Sequence, residues 1–218
     1  MSIPALQFSR KQYFFFLFSF EFFFFFTSLN NTIMSTDSIF VFVVGNAGVG
    51  RMCILGQFFY NRMNLEYDGT DWFYRKVSID GREVQFEADK DTLELMSSFK
   101  EPLNKRLFAF MLVFAIDNRD SFVALQNLYR DYIAPNKPMK VPLLLVGNKL
   151  DLEVNRCVSQ EEARTLASSI GCEYMEVSAK TKVNLDEAFQ TIYHAALSFL
   201  PEENDNHQSE DKKKCILM

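Results

Sequence analysis

Four apolar runs alternate with amphipathic stretches along this chain, and this alternation limits the folds that it can adopt. The runs cover residues 39–44, 108–116, 141–146 and 173–177, and the amphipathic stretches cover 51–61, 121–133, 159–170 and 184–200. Strands that are apolar throughout are buried on both faces, and parallel sheets bury them by packing helices on each side. The pattern therefore predicts an α/β fold in which a mostly parallel sheet lies between two layers of helices.

Two shorter segments predict an antiparallel hairpin at one edge of this sheet. Residues 74–79 and 83–88 read as strands, and they are joined through Asp80-Gly81, a dipeptide that favours tight hairpin turns. Together with the four apolar runs they predict a sheet of six strands. Ser159 followed by Glu162 is the pattern of a capping box, so we expect a helix to begin there.

A glycine-rich stretch follows the first apolar run and precedes the first amphipathic stretch. Its sequence is Gly45-Asn46-Ala47-Gly48-Val49-Gly50, and Arg51 and Met52 come next. Strand, glycine-rich loop and helix form the arrangement in which backbone N–H groups and a helix N-terminus bind phosphate. We therefore expect residues 45–52 to bind the phosphates of a nucleotide.

Polar residues after the third and fourth runs predict which base that nucleotide carries. Asn148, Lys149 and Asp151 follow the third run, and Ser178-Ala179-Lys180 follows the fourth. A carboxylate such as that of Asp151 can accept hydrogen bonds from both the ring N–H and the exocyclic amino group of guanine, whereas adenine offers no such pair of donors on that edge. Leaving such a group unpaired costs about 1–3 kcal/mol. These residues therefore predict a pocket that selects GTP and GDP over ATP.

With these motifs in this order, the chain resembles the Ras branch of the small GTPases over about residues 36–200. Further matches support the resemblance: Glu66-Tyr67-Asp68, Tyr74-Arg75-Lys76 with Ile79-Asp80-Gly81, Val113-Phe114-Ala115-Ile116, Leu144-Leu145-Val146-Gly147-Asn148-Lys149 and the terminal Cys215-Ile216-Leu217-Met218. The resemblance implies a P-loop NTPase fold, a GTP or GDP ligand, Mg²⁺ held with the help of Thr70 and Asp89, and effector and regulator proteins as partners.

The sequence departs from the Ras pattern at the positions that bind Mg²⁺ and support GTP hydrolysis. Phosphate loops of this type end in lysine and then serine or threonine, whose hydroxyl binds Mg²⁺, whereas this chain has Arg51 and Met52. A thioether cannot replace a hard oxygen ligand. Counting back from Val113 places Asp89, Thr92 and Leu93 at the Asp, Gly and Gln of the motif that orients the attacking water. We therefore expect weak Mg²⁺ binding and slow or absent hydrolysis, with no confident catalytic residue.

The two ends of the chain lie outside the predicted domain of residues 36–200. Phenylalanine dominates residues 13–26, a run too short to span a membrane, since about 20 apolar residues are needed. Because Met34 lies where a Ras-like protein would begin, we interpret residues 1–35 as a low-complexity extension added by a misplaced start codon, with a peripheral membrane-binding arm as the alternative. Residues 201–218 read as a flexible tail that ends in a prenylation motif at Cys215.

Charge and composition narrow the partners further. A net charge of -5 argues against general nucleic-acid binding, which requires clustered lysine and arginine. The 4 cysteines are spaced far apart, so neither a zinc site nor a disulfide framework is predicted, and we expect Cys53 and Cys172 to be small buried groups. We expect a monomer at the cytoplasmic face of a membrane, the plasma membrane in particular, anchored by a prenyl group.

Three functions fit these residues to different degrees. The first is a membrane-associated signalling switch that binds GTP and GDP and hydrolyses GTP slowly. The second is a pseudo-GTPase, a membrane-tethered interaction module that keeps the fold without cycling between nucleotides. The third, an unrelated kinase or ATPase, is disfavoured by Asp151 and by Ser178-Ala179-Lys180, which suit guanine. We favour the first function, a GTP-binding protein with Ras-like architecture, and expect its catalysis to be weak or lost.

Overall fold

The computed structural model describes residues 35–63, 72–89, 106–130 and 142–200. These ranges contain six strands, four α-helices and a 3-10 helix. In chain order the elements are β1 (Ser35–Val44), α1 (Arg51–Tyr60), β2 (Trp72–Ile79), β3 (Arg82–Asp89), β4 (Arg106–Ala115), α2 (Arg119–Leu128), β5 (Leu143–Asn148), the 3-10 helix (Leu150–Asn155), α3 (Gln160–Ile170), β6 (Glu173–Glu176) and α4 (Leu185–Leu197).

The strands form one sheet in the order β2-β3-β1-β4-β5-β6. All neighbouring strands are parallel except β2 and β3, which pair antiparallel. The turn between these two contains Asp80 and Gly81, with φ angles of 51° and 77°, and two left-handed residues are typical of the tight hairpin turn. The predicted α/β fold with a six-stranded, mostly parallel sheet is therefore confirmed.

The central strands contain uninterrupted apolar stretches because each of their two faces packs against helices. In β1, Ile39, Val41 and Val43 belong to the core beside α1 and α4, whereas Phe40 and Phe42 belong to the core beside α2 and α3. These five side chains are at most 1% exposed. Alternate residues of a strand point to opposite faces, so a strand buried on both sides needs an apolar residue at every position.

Aromatic rings fill much of both cores. On the α1 and α4 side, the rings of Phe58 and Phe189 are stacked with centroids 3.5 Å apart. On the other side, Phe42 stacks on Phe110 at 4.8 Å, and Phe114 meets Phe122 of α2 at 4.9 Å. These contacts join α1 to α4 and hold α2 against the sheet.

The helix boundaries follow local capping chemistry. The capping box predicted at Ser159 and Glu162 is confirmed, since each of the two residues bonds the backbone of the other. Helix α2 begins two residues earlier than predicted because the side chain of Asn118 accepts a hydrogen bond from the Ser121 N–H at 3.1 Å. Helix α4 ends at Leu197, three residues before the predicted end.

Two cysteines are less buried than the sequence predicts. Cys53 packs against the core beside α1 and Cys172 against the opposite core, but both are only half-buried. Burial nevertheless raises the pKa of the Cys172 thiol to about 11, so it stays protonated at neutral pH.

Among the helices that the structure describes, none is long and apolar enough to cross a membrane. The terminal segments 1–34 and 201–218, including Cys215, lie outside the described residues.

Candidate nucleotide-binding site

The predicted site residues come from three loops at one edge of the sheet. Gly45 directly follows β1, Asn148 is the last residue of β5, and Ser178 comes two residues after the end of β6. Because β1, β4, β5 and β6 run parallel, these loops leave the sheet on the same side. This is the edge at which open α/β sheets bind their ligands.

The glycine-rich loop leads directly into α1. Gly50 is the N-cap of this helix, with a φ angle of 92°, and its carbonyl accepts from the Ile54 N–H at 2.9 Å. The structure describes the whole first turn of α1, which contains no acidic side chain, and no side chain caps the helix at Gly50. The partial positive charge of the helix N-terminus therefore faces the loop, which suits an anionic group.

The metal side of the site does not fit a Ras-type Mg²⁺ centre. Met52 lies on the first turn of α1 with 40% of its surface exposed and presents a thioether, which is not a ligand for Mg²⁺. Asp89, the last residue of β3, is 4% exposed. The other predicted positions, Thr70, Thr92 and Leu93, lie outside the described residues. Within residues 35–63, 72–89, 106–130 and 142–200, no group of three or more His, Cys, Asp or Glu side chains could hold a metal ion.

The Asn148 side chain joins the three loops. It is 2% exposed, its Nδ2 donates to the Val49 carbonyl at 2.8 Å, and its Oδ1 accepts from the Ala179 N–H at 3.1 Å. Gly50 lies so close that a Cβ there would be 2.5 Å from Asn148 Nδ2. The close approach and the left-handed φ angle together require glycine at this position.

The Asp151 carboxylate is held by Ser178, the residue before Ala179. Ser178 Oγ donates to Asp151 Oδ1 at 2.6 Å and accepts from the Thr181 N–H at 3.1 Å. Lys180 Nζ lies 3.9 Å from Asp151 Oδ2, and the Asp151 side chain is 14% exposed. Each carboxylate oxygen carries two lone pairs, so this anchored group can accept further hydrogen bonds from a ligand.

Asp117 pairs with a predicted site residue, Lys149, and the sequence prediction did not include it. Its Oδ1 lies 3.3 Å from Lys149 Nζ, and the two side chains are 19% and 29% exposed. Asp117 comes two residues after β4, which pairs with β5 in front of Lys149. The sequence signal that could have identified Asp117 is its place just after β4. Because β4 and β5 are adjacent and parallel, residues that follow these two strands lie close together.

Comparison with known proteins agrees with this geometry. The family model described as "Ras family" matches residues 40–198 of the chain. The chain belongs to the Ras family. The matched range contains every candidate residue of the phosphate and guanine loops from Gly45 to Lys180.

Ral proteins are among the similar relatives of this Ras-family chain. The Ras-related protein O-RAL of Diplobatis ommata is 36% identical over 191 residues, which are 81% of this chain and 92% of that protein. The Ras-related protein Ral-B of Mus musculus is 35% identical over 191 residues, or 82% and 92%. The Ras-related protein ralB-A of Xenopus laevis is 36% identical with the same coverage. The chain is therefore a Ras-like small GTP-binding protein with the P-loop NTPase fold.

The Asn148 side chain can be tested in the nucleotide-free protein. We expect Asn148→Ala to lower the free energy of unfolding by about 2–4 kcal/mol, because the Val49 carbonyl and the Ala179 N–H both lose a buried partner. Urea denaturation followed by circular dichroism measures this. Asn127→Ala, at an exposed position on α2, is the control and should change the stability by about 0.5 kcal/mol or less. Equal losses in the two variants would contradict the assignment.

Proposed function

We propose that this Ras-family protein binds GTP and GDP through a guanine pocket that works without a fully liganded Mg²⁺, and that it hydrolyses GTP slowly or not at all. The observation that carries the proposal is the anchored carboxylate of Asp151, whose Oδ1 accepts from Ser178 Oγ at 2.6 Å beside the buried Asn148 amide. A carboxylate fixed in this way can accept from the ring N–H and the exocyclic amino group of guanine, whereas adenine has no such pair of donors on that edge.

The remaining residues of the two guanine loops support the base. Asn148 holds the loops together, and the Ala179 backbone lies against it. Lys149 and Lys180 have long aliphatic stems, which can cover the apolar face of a base while their ammonium groups stay with Asp117 and Asp151. We assign guanine recognition to Asn148, Lys149, Asp151, Ser178, Ala179 and Lys180.

The phosphates are assigned to residues 45–52 on the geometry of the loop before α1. Arg51 supplies positive charge at the helix N-terminus, although its planar guanidinium is larger than the ammonium of a lysine. Mg²⁺, when bound, would neutralise phosphate charge, and its remaining protein ligands are proposed to be Asp89 and Thr70. The Met52 thioether adds nothing to that set, which supports weak binding of the metal.

A second candidate function is a pseudo-GTPase that serves as a membrane-tethered interaction module. The observation that favours it is the exposed Met52 at the start of α1, where a metal ligand is expected. Bound nucleotide that neither exchanges nor hydrolyses would distinguish this module from a slow switch. In both cases we propose unidentified effector and regulator proteins as partners, no nucleic-acid partner, and a monomeric state.

Guanine selectivity tests the main proposal. We expect labelled GDP to be displaced at least about tenfold better by unlabelled GDP than by ADP, since one lost polar contact costs about 1–3 kcal/mol. Asp151→Ala should remove most of this preference, and Asp186→Ala, which changes an exposed carboxylate on α4, should keep it. Equal binding of GDP and ADP by the unmodified protein would refute the proposed pocket.

Hydrolysis is predicted to be at or below the intrinsic scale of Ras proteins, about 10⁻⁴ s⁻¹, with no large acceleration by an activator that supplies an arginine. The reasons are Leu93, Thr92 and Met52. Phosphate release from bound GTP in a single turnover measures the rate. Leu93→Gln alone should change the rate little, and Met52→Ser should make nucleotide release more sensitive to a chelator. A rate of about 1 s⁻¹ for the unmodified protein would contradict this prediction.

Membrane attachment is proposed through a prenyl group on Cys215, at the cytoplasmic face of the plasma membrane. One lipid chain anchors only marginally, and Lys212-Lys213-Lys214 would add about 1 kcal/mol each on an anionic surface. We therefore expect association that high salt weakens and that Cys215→Ser abolishes, as measured by cell fractionation. Deletion of residues 1–33 is the control. A Cys215→Ser variant that stays membrane-bound until residues 1–33 are removed would identify the phenylalanine-rich segment as the anchor instead.

A further inference from the structure

A buried carboxylate behind the guanine loops is hydrogen-bonded by three side chains. Glu176, the last residue of β6, has a side chain that is 8% exposed. It accepts from Arg156 Nη1 and Nη2 at 2.6 and 2.9 Å, from the Tyr174 hydroxyl at 2.6 Å and from Gln160 Nε2 at 3.1 Å. A bidentate pair between arginine and a carboxylate fixes both the distance and the relative orientation of the segments that carry it.

The pair between Arg156 and Glu176 joins the two segments that carry the guanine residues. Arg156 directly follows the 3-10 helix that contains Asp151. Glu176 precedes Ser178 by two residues, and its carbonyl accepts from Asn184 Nδ2 at 2.8 Å. Asn184 lies beyond Lys180, so the loop from Val177 to Val183 is held at both ends. The ion pair therefore joins the same two segments as the hydrogen bond between Ser178 and Asp151.

The same network reaches the third segment, which carries Asn148. The Tyr174 ring lies nearly parallel to that of Phe114, with centroids 6.2 Å apart. A Cβ on Gly147 would lie 2.8 Å from the Tyr174 hydroxyl, so Tyr174 packs directly against the backbone before Asn148. The hydroxyl that touches this backbone also donates to Glu176. One carboxylate thus connects the positions of Asn148, Asp151 and Ser178.

The network keeps its charges at neutral pH. Burial by itself raises the pKa of Glu176, but the hydrogen bonds from Arg156 and Tyr174 leave that pKa below its ordinary value. Burial, and then the hydrogen bond to Glu176, raises the pKa of Tyr174, so the phenol keeps the proton that it donates. The hydrogen bonds to Glu176 raise the pKa of Arg156. The pair therefore stays ionised under conditions in which nucleotide binding is measured.

We propose that Arg156 and Glu176 are positioning residues that set how strongly the pocket discriminates guanine from bases lacking its exocyclic amino group. This inference rests on the proposed guanine pocket. Neither residue contacts the base in this scheme; they hold the loop of Asp151 against the loop of Ser178. A binding group must be held within about 0.5 Å of its working position, and supporting residues provide that precision.

Selectivity between GDP and inosine diphosphate (IDP) tests the inference. Hypoxanthine, the base of IDP, keeps the ring N–H of guanine and lacks the amino group. The dissociation constant of IDP divided by that of GDP therefore reports how well Asp151 is aligned. We expect Arg156→Met to lower this ratio about tenfold, equivalent to about 1.4 kcal/mol. Arg156→Lys, which keeps the charge without the bidentate geometry, should give an intermediate ratio. A merely structural role would change the thermal stability and leave the ratio unchanged.

A matched surface ion pair provides the control. Arg119 and Glu162 join α2 to α3 with a distance of 2.7 Å between Nη2 and Oε1, and their side chains are 50% and 42% exposed. Arg119→Met removes an arginine and breaks an arginine–glutamate pair between two elements, as Arg156→Met does. Arg119 bonds neither Glu176 nor a guanine residue, and it contacts the segment after the 3-10 helix through a hydrogen bond of 3.5 Å from Nη1 to the Cys157 carbonyl. We expect Arg119→Met to leave the ratio for GDP and IDP unchanged.

The outcomes separate this inference from the proposed function. If the unmodified protein does not prefer GDP to ADP, the proposed pocket and this inference both fail. If it prefers GDP to ADP but not to IDP, only this inference is overturned. If it prefers GDP and Arg156→Met retains the full preference, only the positioning role is overturned. Should Arg156→Met fail to fold, Glu176→Gln takes its place, since the glutamine amide keeps the volume but replaces one acceptor oxygen with an NH₂ donor and so cannot form the bidentate pair. An unchanged ratio in Glu176→Gln overturns the inference equally.

Discussion

The amide of Asn148 is the interaction on which the site depends. It is almost completely buried, and a buried amide is stable only when its donor and acceptor are both paired. Its partners are the Val49 carbonyl of the phosphate loop and the Ala179 N–H of the loop after β6. The three loops can therefore adopt only arrangements that satisfy this one side chain, and the close approach of Gly50 follows from the same constraint.

The two halves of the site have diverged to different extents. On the base side, Asp151, Ser178 and Ala179 lie in one hydrogen-bonded group with Asn148, so this chemistry depends on buried contacts that also stabilise the fold. On the phosphate side, Met52 is exposed and contributes no polar contact to the sheet. Substitution there costs little stability. This difference explains why a Ras-family chain can carry an altered residue in its glycine-rich loop and still keep the buried contacts of the loops after β5 and β6.

Fold class was predictable because it depends on pattern. Uninterrupted apolar runs at residues 39–44, 108–116 and 143–146 leave few alternatives to a covered parallel sheet, and the two left-handed residues of the hairpin were visible as Asp80-Gly81. Element ends were less predictable. Helix α2 starts at Arg119 because of Asn118, a single capping side chain within a polar turn. Burial of Cys53 and Cys172 was overestimated, since residue type gives only an average exposure.

The sequence by itself determined the order of strands and helices, the family, and the residue types of the guanine loops, because these depend on short segments and their spacing. The tertiary structure alone decided which charges meet. Asp117 and Lys149 are 32 residues apart in the chain, and Arg156 and Glu176 are 20 apart. They lie side by side because β5 pairs with β4 on one side and with β6 on the other. No local pattern encodes such pairs, since their partners are selected by strand order.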